Sequence, residues 1–185
     1  MYQGCIERSP DTFNLFLEEY GCLMVKWFKI FGDQYVGFWF LGLVLFALQE
    51  VPYMVMPFFR LDRNPIMTMQ ESSVVLDICE KIFGSLCIVL MTFMIQADVP
   101  FFRIGKGYSR VGFVLAAAVL VLNYIGWLFY FNGHQSIGVM LFFLVVLPPL
   151  YYVFIGLWRQ NWMLFGVGIV FGIVHFLHVY GNLRM

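Results

Sequence analysis

Six ionisable side chains of this 185-residue chain lie inside stretches that are otherwise apolar, and these residues are the best placed to do chemistry. An ionisable group in an apolar membrane segment is costly and is a functional candidate by default. A carboxyl group beside an imidazole forms an acid–base pair, and the same pair binds a cation, a proton or an amine head group. The six are Glu50, Asp77, Glu80, Lys81, His175 and His178.

These polar residues share one depth if the apolar stretches are helices that cross a membrane. Glu50 lies about nine residues from the end of its stretch, Lys81 about seven, and Asn123 and His175 about eight, which agree to within about one helical turn at 1.5 Å per residue. The spacing therefore predicts a polar layer in the outer half of the membrane.

The residue types in this layer suggest distinct roles. We predict that Glu50 and His175 act as the acid–base pair or as ligands of a head group, with Lys81 as counter-ion. These three side chains are expected to point inward and converge on one cavity. Further ligand-binding residues are predicted at Asp77, Glu80, Asn123, His178, Tyr53 and Trp127. Alternatively, Lys81 forms an ion pair with Asp77 or Glu50 that fixes helix register, and the layer serves packing alone.

We predict no metal ion and no cofactor. His175 and His178 share a helix face and could hold a divalent metal together with Glu50 or Asp77, but this is the weaker interpretation. The sequence contains no CxxC pair, no P-loop, no GxSxG and no HExxH.

The composition excludes an ordinary soluble domain. Hydrophobic residues make up 62% of the chain and charged residues 12%, with a net charge of zero, whereas soluble domains carry about 25% charged residues. High hydropathy argues against disorder, and the lack of a basic excess argues against nucleic acid as a partner. The chain is therefore predicted to be a polytopic membrane protein.

The predicted fold is an all-α membrane helix bundle, in which an N-terminal amphipathic interfacial helix over residues 1–34 precedes a five-helix transmembrane bundle over residues 35–185. A helix needs about 20 apolar residues to cross the hydrocarbon core. The stretches that qualify are 35–59, 74–97, 111–131, 137–158 and 162–183.

The amphipathic helix is inferred from aromatic residues that recur at three- and four-residue steps, with Ser9 as N-cap and Gly32 and Asp33 at its end. The alternative is a helix packed as a cap on the bundle.

In the fourth stretch, Pro148 and Pro149 remove two N–H donors and free the carbonyls near Leu144 and Val145. Two outcomes stay open: a break that offers bare carbonyls to a ligand, or a packed kink in which water or a hydroxyl satisfies them.

The flanking Lys and Arg residues predict the orientation. Seven lie on one side and three on the other, which places the N-terminus in the cytoplasm and the C-terminus in an extracytoplasmic or lumenal space. The first group is Arg8, Lys26, Lys29, Arg103, Lys106, Arg110 and Arg159, and the second is Arg60, Arg63 and Arg184.

Three function classes remain open. The favoured class is an integral membrane protein whose intramembrane polar pocket binds, converts or carries a lipid-like or amphipathic small molecule, because 22 Phe, 10 Tyr and 5 Trp suit an apolar ligand with one polar handle. The others are an accessory subunit of a larger membrane complex, and a proton- or cation-coupled small transporter acting as an oligomer. Expected partners are membrane lipid, the small molecule, and either further copies or partner subunits.

Overall fold

Five long helices run in alternating directions through the molecule. The computed structural model describes residues 24–59, 61, 64–96 and 102–184. We label the helices α1 (Phe40–Val55), α2 (Val74–Phe93), α3 (Tyr108–Phe131), α4 (Ile137–Arg159) and α5 (Trp162–Leu183). A 3-10 turn, Met56–Phe58, extends α1, and one helical turn, Pro65–Thr68, lies between α1 and α2.

Four of these helices are long and apolar enough to cross a membrane, so the chain is an integral membrane protein. They are Phe40–Phe58, Tyr108–Phe131, Ile137–Arg159 and Trp162–Leu183. The second helix lies where a span was predicted, but Asp77, Glu80 and Lys81 make it too charged to qualify by composition. A fifth span therefore stays a prediction.

A three-stranded antiparallel sheet corrects the prediction of a purely helical fold. Its strands β1 (Met24–Phe31), β2 (Gln34–Trp39) and β3 (Met94–Gln96) lie in the order β1-β2-β3. The predicted amphipathic helix is thus wrong over residues 24–34, and its residues 1–23 lie outside the described part of the chain. The first helix accordingly begins at Phe40 rather than at residue 35, and the second ends at Phe93 rather than at residue 97.

The hairpin forms because residues 24–39 are rich in aromatic and β-branched types, which favour strands. Gly32 and Asp33 form a two-residue turn between Phe31 and Gln34, and Gly32 has φ +53°. Glycine adopts positive φ without steric cost, so Gly-X at this position favours a tight hairpin. Gly32 and Asp33 thus form the turn of a hairpin and not the predicted end of a helix.

The sheet closes one end of the bundle, which we call the sheet end; the opposite end, with residues 64–69 and the turn after α3, is the far end. The Arg159 guanidinium lies 4.3 Å from the ring centre of buried Trp39. The Asn161 amide donates to the carbonyls of Leu90 (3.0 Å) and Met94 (3.3 Å), and its Oδ1 caps α5 at Leu164 N. The sheet and the α4–α5 turn therefore hold each other in place.

A π-helical segment, Met140–Val146, precedes the two prolines of α4. In a π-helix N–H groups bond to carbonyls five residues earlier, so Pro148 and Pro149 leave the carbonyls of Phe143 and Leu144 without donors. The Asn123 Nδ2 donates to Phe143 O at 2.8 Å, and the Tyr53 hydroxyl donates to Leu144 O at 3.5 Å. The structure therefore favours the packed kink over bare carbonyls.

The approach of α3 to this segment predicts a stability effect at Gly126. A Cβ added there would lie 2.1 Å from Phe143 Cβ, so Gly126→Ala must push α3 and α4 apart. We expect the free energy of unfolding to fall by about 1–3 kcal/mol, as overpacking typically costs. Gly166→Ala is the matched control on α5, because nothing lies within 4 Å of its Cβ position. Thermal unfolding in detergent measures both, and equal losses would contradict the close approach.

Candidate functional site

A cavity of about 180 Å³ lies between α1, α2, α4 and α5, in the half of the bundle toward the far end. Its polar lining groups are Tyr53 from α1, Glu80 from α2 and His175 from α5. Its other walls are apolar, and they include Met140, Leu144, Val145, Val179 and Leu183, with Ile66 and Met69 at the far end. The cavity therefore combines a few polar groups on one side with hydrocarbon elsewhere.

Glu80 is the centre of the polar group, and its two carboxylate oxygens have different neighbours. Oε2 forms a short contact with Nδ1 of buried His178. Oε1 lies 3.1 Å from Nδ1 of His175. The two atoms are close enough for an ion pair, but they are not aligned for a hydrogen bond. Both histidines come from α5, three residues apart, so they reach one carboxylate from the same helix face.

Asn182 fixes the tautomer of His178. The backbone N–H and the hydroxyl of Ser72 both donate to Asn182 Oδ1, at 2.8 and 2.6 Å. Because a backbone N–H can only donate, the other end of the Asn182 amide must be the NH₂ group, which lies 3.1 Å from His178 Nε2. Nε2 therefore accepts, Nδ1 carries the proton, and His178 is a neutral donor to Glu80.

His175 is held less tightly than His178. Its ring stacks on Phe171 with centroids 5.3 Å apart, and its buried Nδ1 forms no hydrogen bond with any residue that the structure describes. It also lines the cavity, unlike His178. His175 is thus the histidine that a molecule in the cavity would meet.

The predicted convergence of Glu50, Lys81 and His175 is wrong for Lys81. The Lys81 side chain is 71% exposed on the outer face of α2, and its Nζ forms an ion pair of 2.7 Å with Asp77, one turn earlier, whose side chain is only 16% exposed. Glu50 is half-buried on α1 and is not among the residues that line the cavity. Of the predicted acid–base and counter-ion residues, His175 alone lies at the cavity.

The remaining predicted residues divide between the cavity and the core. Tyr53 lines the cavity, and its ring meets Trp127 edge-on at a centroid distance of 4.5 Å. Trp127 and Asn123 are almost fully buried on α3, where Asn123 supports the π-helical segment. Asn123 and Trp127 therefore shape the wall behind Tyr53, whereas Glu80, predicted as one ligand-binding residue among several, occupies the central position.

A second group could in principle hold a metal ion. Ligand atoms of Glu71, Asp77 and His178 lie within 4.8 Å of one another. However, both nitrogens of His178 are engaged, by Glu80 and by Asn182, and one oxygen of Asp77 holds Lys81. A metal would have to displace these contacts, so the donor set fits a metal ion poorly.

A larger apolar groove of about 350 Å³ lies between α4 and α5. Pro149, Val153, Gly168, Gly172 and Phe176 are among its lining residues, none of which has a charged side chain. Gly168 and Gly172 let the two helices approach, since a Cβ on Gly168 would lie 3.0 Å from Val153 Cγ2. This groove suits hydrocarbon alone, so of the two the smaller cavity is the candidate site for chemistry.

Sequence reasoning missed Ser72, because a serine before a helix signals only a cap. The contact that matters joins it to Asn182, 110 residues away.

Comparison with known proteins gives no further guide to the site: no protein-family model, no curated protein and no solved structure matches this chain.

Proposed function

We propose that the chain binds a lipid-like or amphipathic small molecule in the cavity between α1, α2, α4 and α5, with the polar head of the ligand at Glu80 and His175. The observation that carries this proposal is the joint lining of one cavity by a carboxylate, an imidazole and a phenol amid apolar walls. Such a combination of few convergent polar groups with an apolar enclosure is typical of small-molecule sites.

Position supports the proposal as well. The cavity lies between α2 and three helices that are apolar enough to cross a membrane, α1, α4 and α5, so an amphipathic ligand would reach it from the lipid phase. Tyr53 and His175 supply groups that donate or accept hydrogen bonds, and Glu80 supplies a negative charge. Binding, carriage and acid–base conversion all begin with the ligand bound in this cavity.

The test is to fill the cavity. Val179 lines it from α5, so Val179→Phe should expel the ligand without touching a polar group. The full chain is purified in mild detergent, and native mass spectrometry identifies co-purifying molecules. We expect an amphiphile on the wild-type protein and at least about a tenfold lower occupancy on the variant, equivalent to about 1.4 kcal/mol.

Val170→Phe is the matched control, because Val170 is exposed on the same helix and lines neither the cavity nor the groove. Helicity and thermal unfolding verify that both variants fold. Should Val179→Phe fail to fold, Met69→Trp fills the cavity from outside the long helices. An amphiphile retained equally by the filled and control variants would refute the proposed pocket.

A further inference from the structure

The two oxygens of Glu80 offer different opportunities to a ligand. Oε2 is committed to the Nδ1–H of His178, whose tautomer Asn182 fixes. At Oε1, the contact within the described ranges is the misaligned Nδ1 of His175, at 3.1 Å. We propose that Glu80 Oε1 is an exchange position, occupied in turn by the imidazolium of His175 and by the ammonium head of an amphipathic amine. This inference rests on the proposed binding function of the cavity.

The charge of the cavity favours an amine over other head groups. Among the residues that the structure describes, Glu80 is the one acidic residue on the lining, and neither Lys nor Arg lines this cavity. Lys81, the nearest base in sequence, points away from the cavity and pairs with Asp77. A carboxylate with one oxygen outside any aligned hydrogen bond attracts a cationic donor and repels phosphate and carboxylate heads. The apolar walls then accept the hydrocarbon part of the amine.

The imidazolium of His175 and the ammonium of the ligand exclude each other because both need Oε1 of Glu80. A protonated imidazole is a cation that donates from both ring nitrogens, so His175, with Nδ1 3.1 Å from Oε1, can supply the competing cation. A second positive charge at Oε1 would face the imidazolium at hydrogen-bond range in an apolar surrounding, where like charges repel strongly. When the ammonium binds, His175 Nδ1 loses one proton to solvent, so the net charge at Glu80 is unchanged.

The other titratable groups around His175 do not replace Glu80 in this exchange. His178 is held as a neutral donor, and α4 contributes only apolar residues to the lining. In the described part of the chain, the other titratable groups near the cavity are Tyr53 and the half-buried Glu50 on α1, Tyr130 on α3, Tyr152 on α4, and the largely buried Asp77 and the exposed Lys81 on α2.

The experiment measures binding and proton release together. Octylammonium is titrated into the full chain in detergent by calorimetry, in two buffers of different ionisation enthalpy, with empty micelles subtracted. Octan-1-ol, of equal chain length and no charge, is the comparison ligand. We expect octylammonium to bind at least about tenfold more tightly than octan-1-ol above pH 7. Proton release per bound amine should rise toward one as the pH falls to about 5.

Three variants separate the roles. Glu80→Gln should weaken octylammonium binding by at least about tenfold and leave octan-1-ol binding within about twofold. His175→Gln should keep amine binding and abolish proton release. Glu71→Gln, which neutralises an exposed carboxylate before α2, is the matched control and should change neither quantity.

The outcomes distinguish this inference from the function on which it rests. If neither octylammonium nor octan-1-ol binds the wild-type chain, the pocket itself is refuted. If octan-1-ol binds as tightly as octylammonium, or if amine binding releases no proton at any pH, the exchange is refuted while the pocket stands. The wild-type pH series decides the question even if a variant fails to fold.

Discussion

Replacing Glu80 by alanine is expected to lower the free energy of unfolding by about 2–3 kcal/mol, because a buried hydrogen-bond donor is left without an acceptor. In the wild-type protein Glu80 accepts from His178 Nδ1, which is almost fully buried, and its second oxygen lies 3.1 Å from His175. The alanine variant removes both contacts at once. We also expect it to lose any bound amphiphile.

Glu80→Gln separates the hydrogen bond from the charge. The glutamine carbonyl still accepts from His178, so this variant should lose less than about 1 kcal/mol of stability while it loses amine binding. Glu71→Ala, an exposed carboxylate a few residues before α2, is expected to stay within about 0.5 kcal/mol of wild type. Equilibrium unfolding in mixed micelles measures all three. Similar losses for the alanine and glutamine variants at residue 80 would show that His178 does not depend on Glu80 as its acceptor.

The helices of the bundle were predictable because a membrane imposes one strong requirement on them. A stretch of about 20 apolar residues must be a helix to satisfy its own backbone, and α5 begins and ends at the predicted residues, Trp162 and Leu183. The hairpin was not predictable in this way. Residues 24–39 carry aromatic side chains on both faces, so their spacing fits a helix as well as a strand, and Gly32 suits the end of either.

The site shows the difference between depth and direction. Residue count sets depth along a helix, and three of the predicted polar residues, Tyr53, Glu80 and His175, line one cavity. Direction changes by about 100° per residue, so neighbours in sequence point to different surroundings. Glu80 faces the cavity, whereas Lys81, the next residue, is exposed on the outer face of α2. The predicted role of Lys81 was wrong because residue count gives its depth along α2 but not the direction in which its side chain points.

The supporting hydrogen bonds lay beyond sequence reasoning for another reason. Ser72 precedes α2 and Asn182 lies in the last turn of α5, and their contact depends on how these two helices pack. Similarly, the carbonyls freed by Pro148 and Pro149 were foreseeable, but the π-helical offset and the choice of Asn123 and Tyr53 as donors follow from tertiary packing.

Asn182→Asp is expected to convert His178 from a neutral donor into an imidazolium. The aspartate would keep an acceptor for the Ser72 N–H, but it would replace the NH₂ group at His178 Nε2 by a second oxygen. An imidazole between two carboxylates is stabilised in its charged form. Nitrogen-15 NMR of histidine-labelled protein reports this directly at about pH 7: in wild type Nδ1 should be protonated and Nε2 bare, and in the variant both should be protonated.

The charge on His178 then changes the cavity without altering any residue that lines it. An imidazolium at Oε2 balances the Glu80 carboxylate, so octylammonium should bind at least about tenfold more weakly, while octan-1-ol is unaffected. Asn132→Asp makes the same substitution at an exposed amide after α3 and should leave the His178 signals unchanged. A wild-type spectrum with Nε2 protonated would contradict the tautomer. It would also remove the reason for assigning one Glu80 oxygen to His178 and the other to exchange, because a bare Nδ1 has no proton to hold Oε2.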